Sequence, residues 1–119
     1  MGLFSSKPKM LVPKVGQAFW AFHADSEKSR PFICINTYKA SGHWKVLGVY
    51  MTSQYSHFTV EVSDNEEPEY CDPRRVMEIA VDRVKDLGGM VDQSQFNNLL
   101  TMVKKYLKPY KYSKQIWKH

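Results

Sequence analysis

The residues best suited to phosphate chemistry stand at the ends of two apolar segments. Arg30 precedes Phe32–Tyr38, and Thr52 follows Trp44–Met51. A guanidinium offers a planar fork of N–H donors to two phosphate oxygens at once. A hydroxyl can donate one more hydrogen bond. A cation beside a hydroxyl is therefore a candidate site for holding a phosphate.

A polar turn, Lys39–His43, joins these two segments and would fold them into a hairpin. In an antiparallel hairpin the start of one strand lies beside the end of its partner. We therefore expect Arg30 and Thr52 to meet at one edge of the same sheet.

The bulk composition favours one globular domain. The chain has 119 residues, of which 43% are hydrophobic and 24% are charged, values ordinary for a soluble protein. No apolar run approaches the roughly 20 residues of a membrane span, and no signal peptide is evident, so we expect a cytoplasmic protein with no membrane contact. Cys34 and Cys71 have no close Cys or His pair to complete a zinc site, so we expect neither metal nor cofactor.

Charge is unevenly distributed along the chain. The net charge is +5, and residues 93–119 carry six lysines and no acid, whereas residues 64–72 carry five acids. Separate positive and negative faces are expected, and the positive excess favours an acidic or polyanionic partner.

The periodicity of the sequence predicts about five short strands and a C-terminal helix. The predicted strands are Val15–His23, Phe32–Tyr38, Trp44–Met51, His57–Val62 and Arg74–Val81, the fourth alternating apolar and polar side chains. A short helical segment, Asp82–Leu87, is expected to stop at Gly88-Gly89.

The longer helix has the clearest signals. Asp92 and Gln95 have the spacing of a capping box, and Pro109 closes the segment. One apolar stripe is formed by Phe96, Leu99, Leu100, Val103 and Leu107. We expect a flexible basic arm (1–13), a barrel domain with this helix (14–109) and a basic aromatic tail (110–119). Gly2 with Ser6 matches a loose myristoylation pattern, which leaves a membrane-tethered protein as a weaker alternative.

These segments together resemble the MazF/PemK/Kid-like toxins of bacterial toxin–antitoxin modules. The likeness runs from Val15-Gly16 to the final helix and includes Arg30-Pro31, Thr52-Ser53 and the run from Val81-Asp82-Arg83 to Leu87-Gly88. It implies an α+β, mainly β fold: a small SH3-like barrel of CcdB/MazF type, usually a homodimer.

The resemblance also implies an activity. Such toxins cleave single-stranded RNA without a metal and bind an acidic antitoxin protein. It implies catalytic roles for Arg30 and Thr52, and His23 and Asp72 look similar in placement to two further active-site residues of some members. Two positions differ from the family pattern: Gln17 where members often carry an acid, and Tyr70 where the Kid branch has an arginine. Loss of that arginine would weaken stabilisation of the phosphate.

The implied reaction uses the 2′-OH of RNA as its own nucleophile. A base removes the hydroxyl proton, an acid protonates the departing 5′ oxygen, and fixed donors stabilise the phosphoryl charge. His23 or His57 could exchange the proton near neutral pH, and Asp72 could orient a histidine or an arginine. The candidates for contacting RNA bases or backbone are Trp20, Tyr50, Ser53, Tyr55, His57 and Phe58.

Simpler interpretations exist for each of these residues taken singly. An arginine before a proline is commonly a solvated loop residue, a Thr-Ser pair a turn, and an aromatic residue part of the core. A non-catalytic module of the same barrel class, such as a gyrase poison of the CcdB type or a phage or plasmid adaptor, is the alternative function.

Overall fold

The computed structural model describes residues 10–22, 28–63 and 68–106, which form one antiparallel sheet and a helix. The strands are β1 (Gln17–Phe22), β2 (Ser29–Ala40), β3 (His43–Thr52), β4 (Val60–Ser63), β5 (Glu69–Ala80) and β6 (Val84–Met90). A 3-10 turn (Val81–Arg83) joins the last two, and α1 (Gln93–Tyr106) follows. The order across the sheet is β4-β5-β3-β2-β1-β6, and all neighbours are antiparallel.

Alternating side chains of the central strands build a core on each face of the sheet. Ile33 and Ile35 of β2 pack on one face with Leu99 and Val103 of α1. Phe32 lies in the cluster on the opposite face. Because side chains alternate along a strand, a central strand that is covered on both sides is a continuous apolar run.

The predicted hairpin of β2 and β3 is present, with longer strands and a shorter loop than predicted. Its loop is Ser41-Gly42, and both residues have positive φ angles, 52° and 79°. Two positive φ angles are what a type I′ turn requires, and that turn matches the twist of the paired strands. The tight turn therefore sets the register that runs down to the opposite end of the hairpin.

The mainly β fold with a C-terminal helix is confirmed, but one local prediction is wrong. The predicted helical segment Asp82–Leu87 contains only the end of the 3-10 turn, Asp82-Arg83; from Val84 the chain continues as β6, and Gly88-Gly89 lies inside that strand. Pairing of β6 with β1 outweighs the local preference. A Cβ at Gly88 would lie 3.2 Å from the Cβ of Ala18, so the glycine accommodates the close approach of these two strands.

All five predicted strands differ in length and in their first residue from the observed ones. The fourth begins at Val60 rather than His57, because the Thr59 and Ser56 side chains form local hydrogen bonds with the backbone. The fifth begins at Glu69, upstream of the predicted Arg74. Within the described ranges, no helix is long and apolar enough to cross a membrane. The predicted basic arm, apart from its last residues, and the predicted tail lie outside those ranges.

Gly48 provides a test of the packing beneath the hairpin. A Cβ at this position would lie 2.9 Å from Cζ of Phe19 and 3.0 Å from Cβ of Phe32. Both neighbours are fully buried, so we expect Gly48→Ala to lower the free energy of unfolding by about 1–3 kcal/mol through overpacking. Denaturant titration measures this. Gly89→Ala, where a Cβ meets nothing within 4 Å, is the control, and equal losses from both changes would contradict the packing argument.

Candidate active site

An irregular stretch of β5 lies beside the end of β3. Val49 pairs with Val76 and Met51 with Cys71, so the single residue Tyr50 faces the four residues of Asp72–Arg75. The proline within this stretch lacks an N–H and cannot donate to the ladder. Bulges of this kind bend a strand and redirect its side chains, and they are enriched next to active sites.

Asp72 fixes the bulge through a paired set of hydrogen bonds to Arg74. The Nε and Nη2 atoms of Arg74 donate to the two carboxylate oxygens at 3.0 Å each, and the Arg74 backbone N–H donates at 3.0 Å as well. Asp72 is only 8% exposed. The Arg74 side chain lowers the pKa of the Asp72 carboxyl, although burial opposes the effect. Asp72 is therefore ionised at neutral pH and engaged with an arginine.

The same arginine ties the loop after β3 to the helix. The Arg74 guanidinium lies 4.0 Å from the centre of the Phe58 ring, within the range of a cation–π contact. Phe58 in turn makes an edge contact with Tyr106 of α1, with 5.8 Å between ring centres. Ion pair and ring contacts thus link β5, the loop and α1. Phe58 serves as a structural contact here, and one face of its ring is covered by the guanidinium.

Arg75 is the arginine that reaches the open side of the bulge. Its guanidinium lies 4.2 Å from the centre of the Tyr50 ring, and the residue is exposed. It lines a cavity of about 450 Å³, which we call the Arg75 cavity. The other residues lining it are Tyr50, Thr52, Ser53, Gln54, Tyr55, Ser56, Thr59 and Asp72.

Thr52 stands at the end of β3 with its hydroxyl at the start of a turn. The Gln54 backbone N–H donates to the Thr52 oxygen at 3.1 Å. Because that bond uses a lone pair, the hydroxyl proton is still available to a ligand. Tyr55, 72% exposed, makes an edge contact with Tyr70, the position where the resemblance called for an arginine.

A second cavity shares one wall with the first. Its volume is about 330 Å³, and we call it the Trp20 cavity. Tyr50, Thr52 and Ser53 line both cavities. The remaining residues of the Trp20 cavity are Trp20, Pro31, Met51 and Glu69.

Arg30 lies near the start of β2, outside both cavities. The β2–β3 ladder is paired as far as Phe32 and Tyr50, and Arg30 and Thr52 lie two residues beyond that pair on their strands. The meeting of these two side chains at one edge of the sheet stays a prediction. Arg30 is exposed and does not line either cavity.

The other predicted residues are distributed unevenly. Thr52, Ser53, Tyr55 and Asp72 come together around the Arg75 cavity, and Trp20 lies in the adjoining one. His57 is exposed on the loop and lines neither. His23 lies outside the described residues.

Sequence reasoning missed Arg75 and Glu69 as site residues. One signal was available for the arginine, because two consecutive arginines follow a Cys-Asp-Pro run. A proline inside a strand marks an edge or a bulge, and a bulge changes which face its neighbours take. Nothing in the sequence distinguished Glu69 from the other acidic residues between 64 and 72.

Thiol and metal chemistry find little support in the described part of the chain. Burial raises the pKa of Cys34 to about 12, and burial with the charges of Glu69 and Asp72 also raises that of Cys71. Both thiols are therefore protonated at neutral pH and poor nucleophiles. Across residues 10–22, 28–63 and 68–106, no three His, Cys, Asp or Glu side chains are grouped so that they could hold a metal ion.

Comparison with solved structures identifies the architecture. An endoribonuclease from mycobacterial species superposes with a TM-score of 0.65 at 16% identity, covering 83% of this chain and 94% of that one. An endoribonuclease from mycobacterial species in complex with its cognate antitoxin gives 0.63 at 15% identity, covering 80% and 94%. The Mycobacterium tuberculosis toxin MazF-mt6 gives 0.59 at 17% identity, covering 76% and 94%. The fold is that of the MazF toxins. By sequence, no family model and no curated protein matches.

The Asp72–Arg74 pair predicts how stability depends on pH. The pKa of Asp72 is lowered from 3.8 in the folded chain. A depressed pKa contributes stability that is fully present above the unfolded value and is lost as the pH falls through the folded value. We expect Asp72→Asn to be less stable than wild type at pH 7, with the difference shrinking below about pH 4.

Chemical denaturation across that pH range measures the difference. Glu61→Gln, which changes an exposed carboxylate on β4, is the control and should show a much smaller effect. A difference between wild type and Asp72→Asn that stays constant from pH 7 to pH 3 would contradict the role assigned to the pair.

Proposed function

We propose that the protein is an endoribonuclease toxin that cleaves single-stranded RNA, with the scissile phosphate bound in the Arg75 cavity. The observation that carries the proposal is the convergence of Arg75, Thr52 and the buried Asp72 on one cavity of a MazF fold. The three solved structures are described as endoribonucleases or as a MazF toxin. Fold likeness alone does not assign an activity, so the proposal rests on the residues of the site.

Phosphate binding falls to Arg75 and Thr52. Arg75 is exposed towards the cavity and can place N–H donors on two phosphoryl oxygens. The Thr52 hydroxyl can donate a third hydrogen bond. Arg75 thereby supplies a cation in place of the arginine that the Kid branch carries at the position of Tyr70. Donors fixed where charge develops in the transition state are worth about 10²–10³ in rate each.

Asp72 acts through Arg74 rather than as a base. With its pKa lowered by the arginine, it cannot take up a proton readily at neutral pH. Its role is to hold the bulge so that Arg75 stays on the cavity side. We assign the proton transfers to a histidine, His23 or His57, and keep Arg30 as a second cation that approaches the phosphate from across the hairpin.

The reaction runs on the substrate's own hydroxyl. The 2′-OH attacks the adjacent phosphorus in line as its proton leaves, the bond to the 5′ oxygen breaks, and that oxygen is protonated. The products are a 2′,3′-cyclic phosphate, which can open to a 3′-phosphate, and a 5′-hydroxyl. Ser53 and Tyr55 border the cavity, where a backbone contact and a stacked base would hold the strand.

The expected partners follow from the charge and the comparisons. The net charge of +5 suits an acidic antitoxin, and one of the similar endoribonucleases is described in complex with its cognate antitoxin. We propose such a partner, a homodimer and a cytoplasmic location.

RNA cleavage by purified variants tests the proposal. We expect wild type to cut single-stranded RNA with the stated ends, and Arg75→Ala to slow cleavage about 10²–10³-fold without a change in melting temperature. Thr52→Ala and Arg30→Ala should slow it as well. Lys39→Ala, which removes an exposed charge at the far end of the hairpin, should cleave like wild type.

A second arm tests the nucleophile. RNA that carries one 2′-deoxynucleotide on the 5′ side of the cleaved bond should resist cutting at that bond only. Intact RNA with wild-type protein, or full activity in Arg75→Ala, would contradict the proposal. Intact RNA together with broken DNA in growth-arrested cells would favour the alternative, a CcdB-type gyrase poison.

A further inference from the structure

The Trp20 cavity has a chemical character different from that of the Arg75 cavity. Trp20, Pro31 and Met51 give it apolar walls, and Trp20 is 46% exposed. Among the described residues that line it, Glu69 alone is charged. An aromatic surface and a single carboxylate thus adjoin a cavity that holds an exposed arginine.

The different charges of the two cavities, Glu69 in one and Arg75 in the other, determine which part of an RNA strand each can bind. A phosphate is attracted by Arg75 and repelled by Glu69, and an acidic peptide would be repelled by Glu69 as well. A nucleobase is neutral and planar, has faces that stack on an indole ring, and carries N–H donors on its edge. The Trp20 cavity therefore suits a base, and the shared wall of Tyr50, Thr52 and Ser53 sets that base next to the bound phosphate.

Resting on the proposed function, we propose that the Trp20 cavity binds the base beside the cleaved phosphodiester and that Glu69 selects guanine there. A carboxylate presents two acceptor oxygens. Guanine is the RNA base with two adjacent donors, N1–H and the N2 amino group, on its Watson–Crick edge. Adenine and cytosine offer one amino group beside a ring nitrogen whose lone pair repels the second oxygen. Uracil offers one N–H between two carbonyls.

The position of Glu69 is compatible with this role. It begins β5, three residues before Asp72, and is exposed. The β3–β5 ladder pairs Thr52 with Tyr70, the next residue after Glu69. Glu69 also borders a smaller neighbouring cavity of about 200 Å³ with Gly89 and Met90.

Selection of guanine by Glu69 is tested by measuring which base flanks the cut, rather than by measuring total activity. A library of random single-stranded RNA is incubated with wild type, Glu69→Gln or the control Asp82→Asn, and the cut ends are sequenced. Asp82 is an exposed carboxylate beyond the opposite end of β5. We expect guanine at one position flanking the cut in wild type and in the control. Glu69→Gln should reduce that preference about tenfold, because an amide supplies only one acceptor.

A second pair of variants tests the stacking surface. Trp20→Phe should retain most of the activity and Trp20→Ala should raise KM more than it lowers kcat, with the guanine preference kept in both. Melting temperatures verify that all variants are folded.

The outcomes separate the two claims. If wild type leaves RNA intact, the proposed function fails and this inference fails with it. If wild type cuts RNA but shows no guanine preference at the flanking positions, or Glu69→Gln keeps the preference of wild type, only the assignment of Glu69 is overturned.

Discussion

The site depends on the bulge in which four residues of β5 face a single residue of β3. A regular strand would put Asp72 and Arg74 on one face of the sheet and Arg75 on the opposite face. The extra residues break that alternation, and the buried Asp72 then holds Arg74 with two side-chain hydrogen bonds and one backbone bond. Arg74 therefore has a structural role through its bonds to Asp72, whereas its neighbour Arg75 lines a cavity.

This division of labour explains why two adjacent arginines are not equivalent. Arg74 is fixed by a carboxylate and by the Phe58 ring, which itself touches α1. Arg75 lies over Tyr50 with its guanidinium exposed to the cavity. The first sets the geometry of the loop after β3, and the second can meet an anion. A guanidinium held over an aromatic ring has fewer orientations to lose when it binds, which favours recognition by preorganisation.

The presence of Glu69 in the adjoining cavity also has a physical consequence for the proposed RNA site. The two cavities carry opposite charges on either side of their shared wall. The Arg75 cavity therefore favours a phosphate and the Trp20 cavity a neutral base, which would orient a bound RNA strand. A carboxylate close to a phosphate site weakens non-specific binding of polyanions. The same residue that would read a base would therefore suppress unproductive binding of the backbone.

The hairpin and the helix could be predicted because their signals are local. Two apolar runs around a Ser-Gly turn define β2 and β3, and the apolar period of α1 defines the helix. β6 could not, because its partner β1 lies at the other end of the described chain and its Gly88-Gly89 pair resembled a helix stop. Thr52 was placed correctly at the end of its strand. The bulge could not be predicted because the register depends on the pairing of two strands, β3 and β5, and not on either sequence alone. The position of Arg75 at a cavity depends on the bulge and was therefore not predicted either.

We propose that RNA phosphate binds between Thr52 and Arg75. The most direct measurement is an NMR titration with single-stranded RNA made resistant by a 2′-deoxynucleotide at the cleaved position, following arginine Nε–H and backbone amide signals. We expect the Arg75 Nε–H and the amides from Ser53 to Ser56 to shift first, while the Arg74 Nε–H, already bound to Asp72, changes little. Shifts confined to other surfaces, with Arg75 unmoved at saturating RNA, would contradict it.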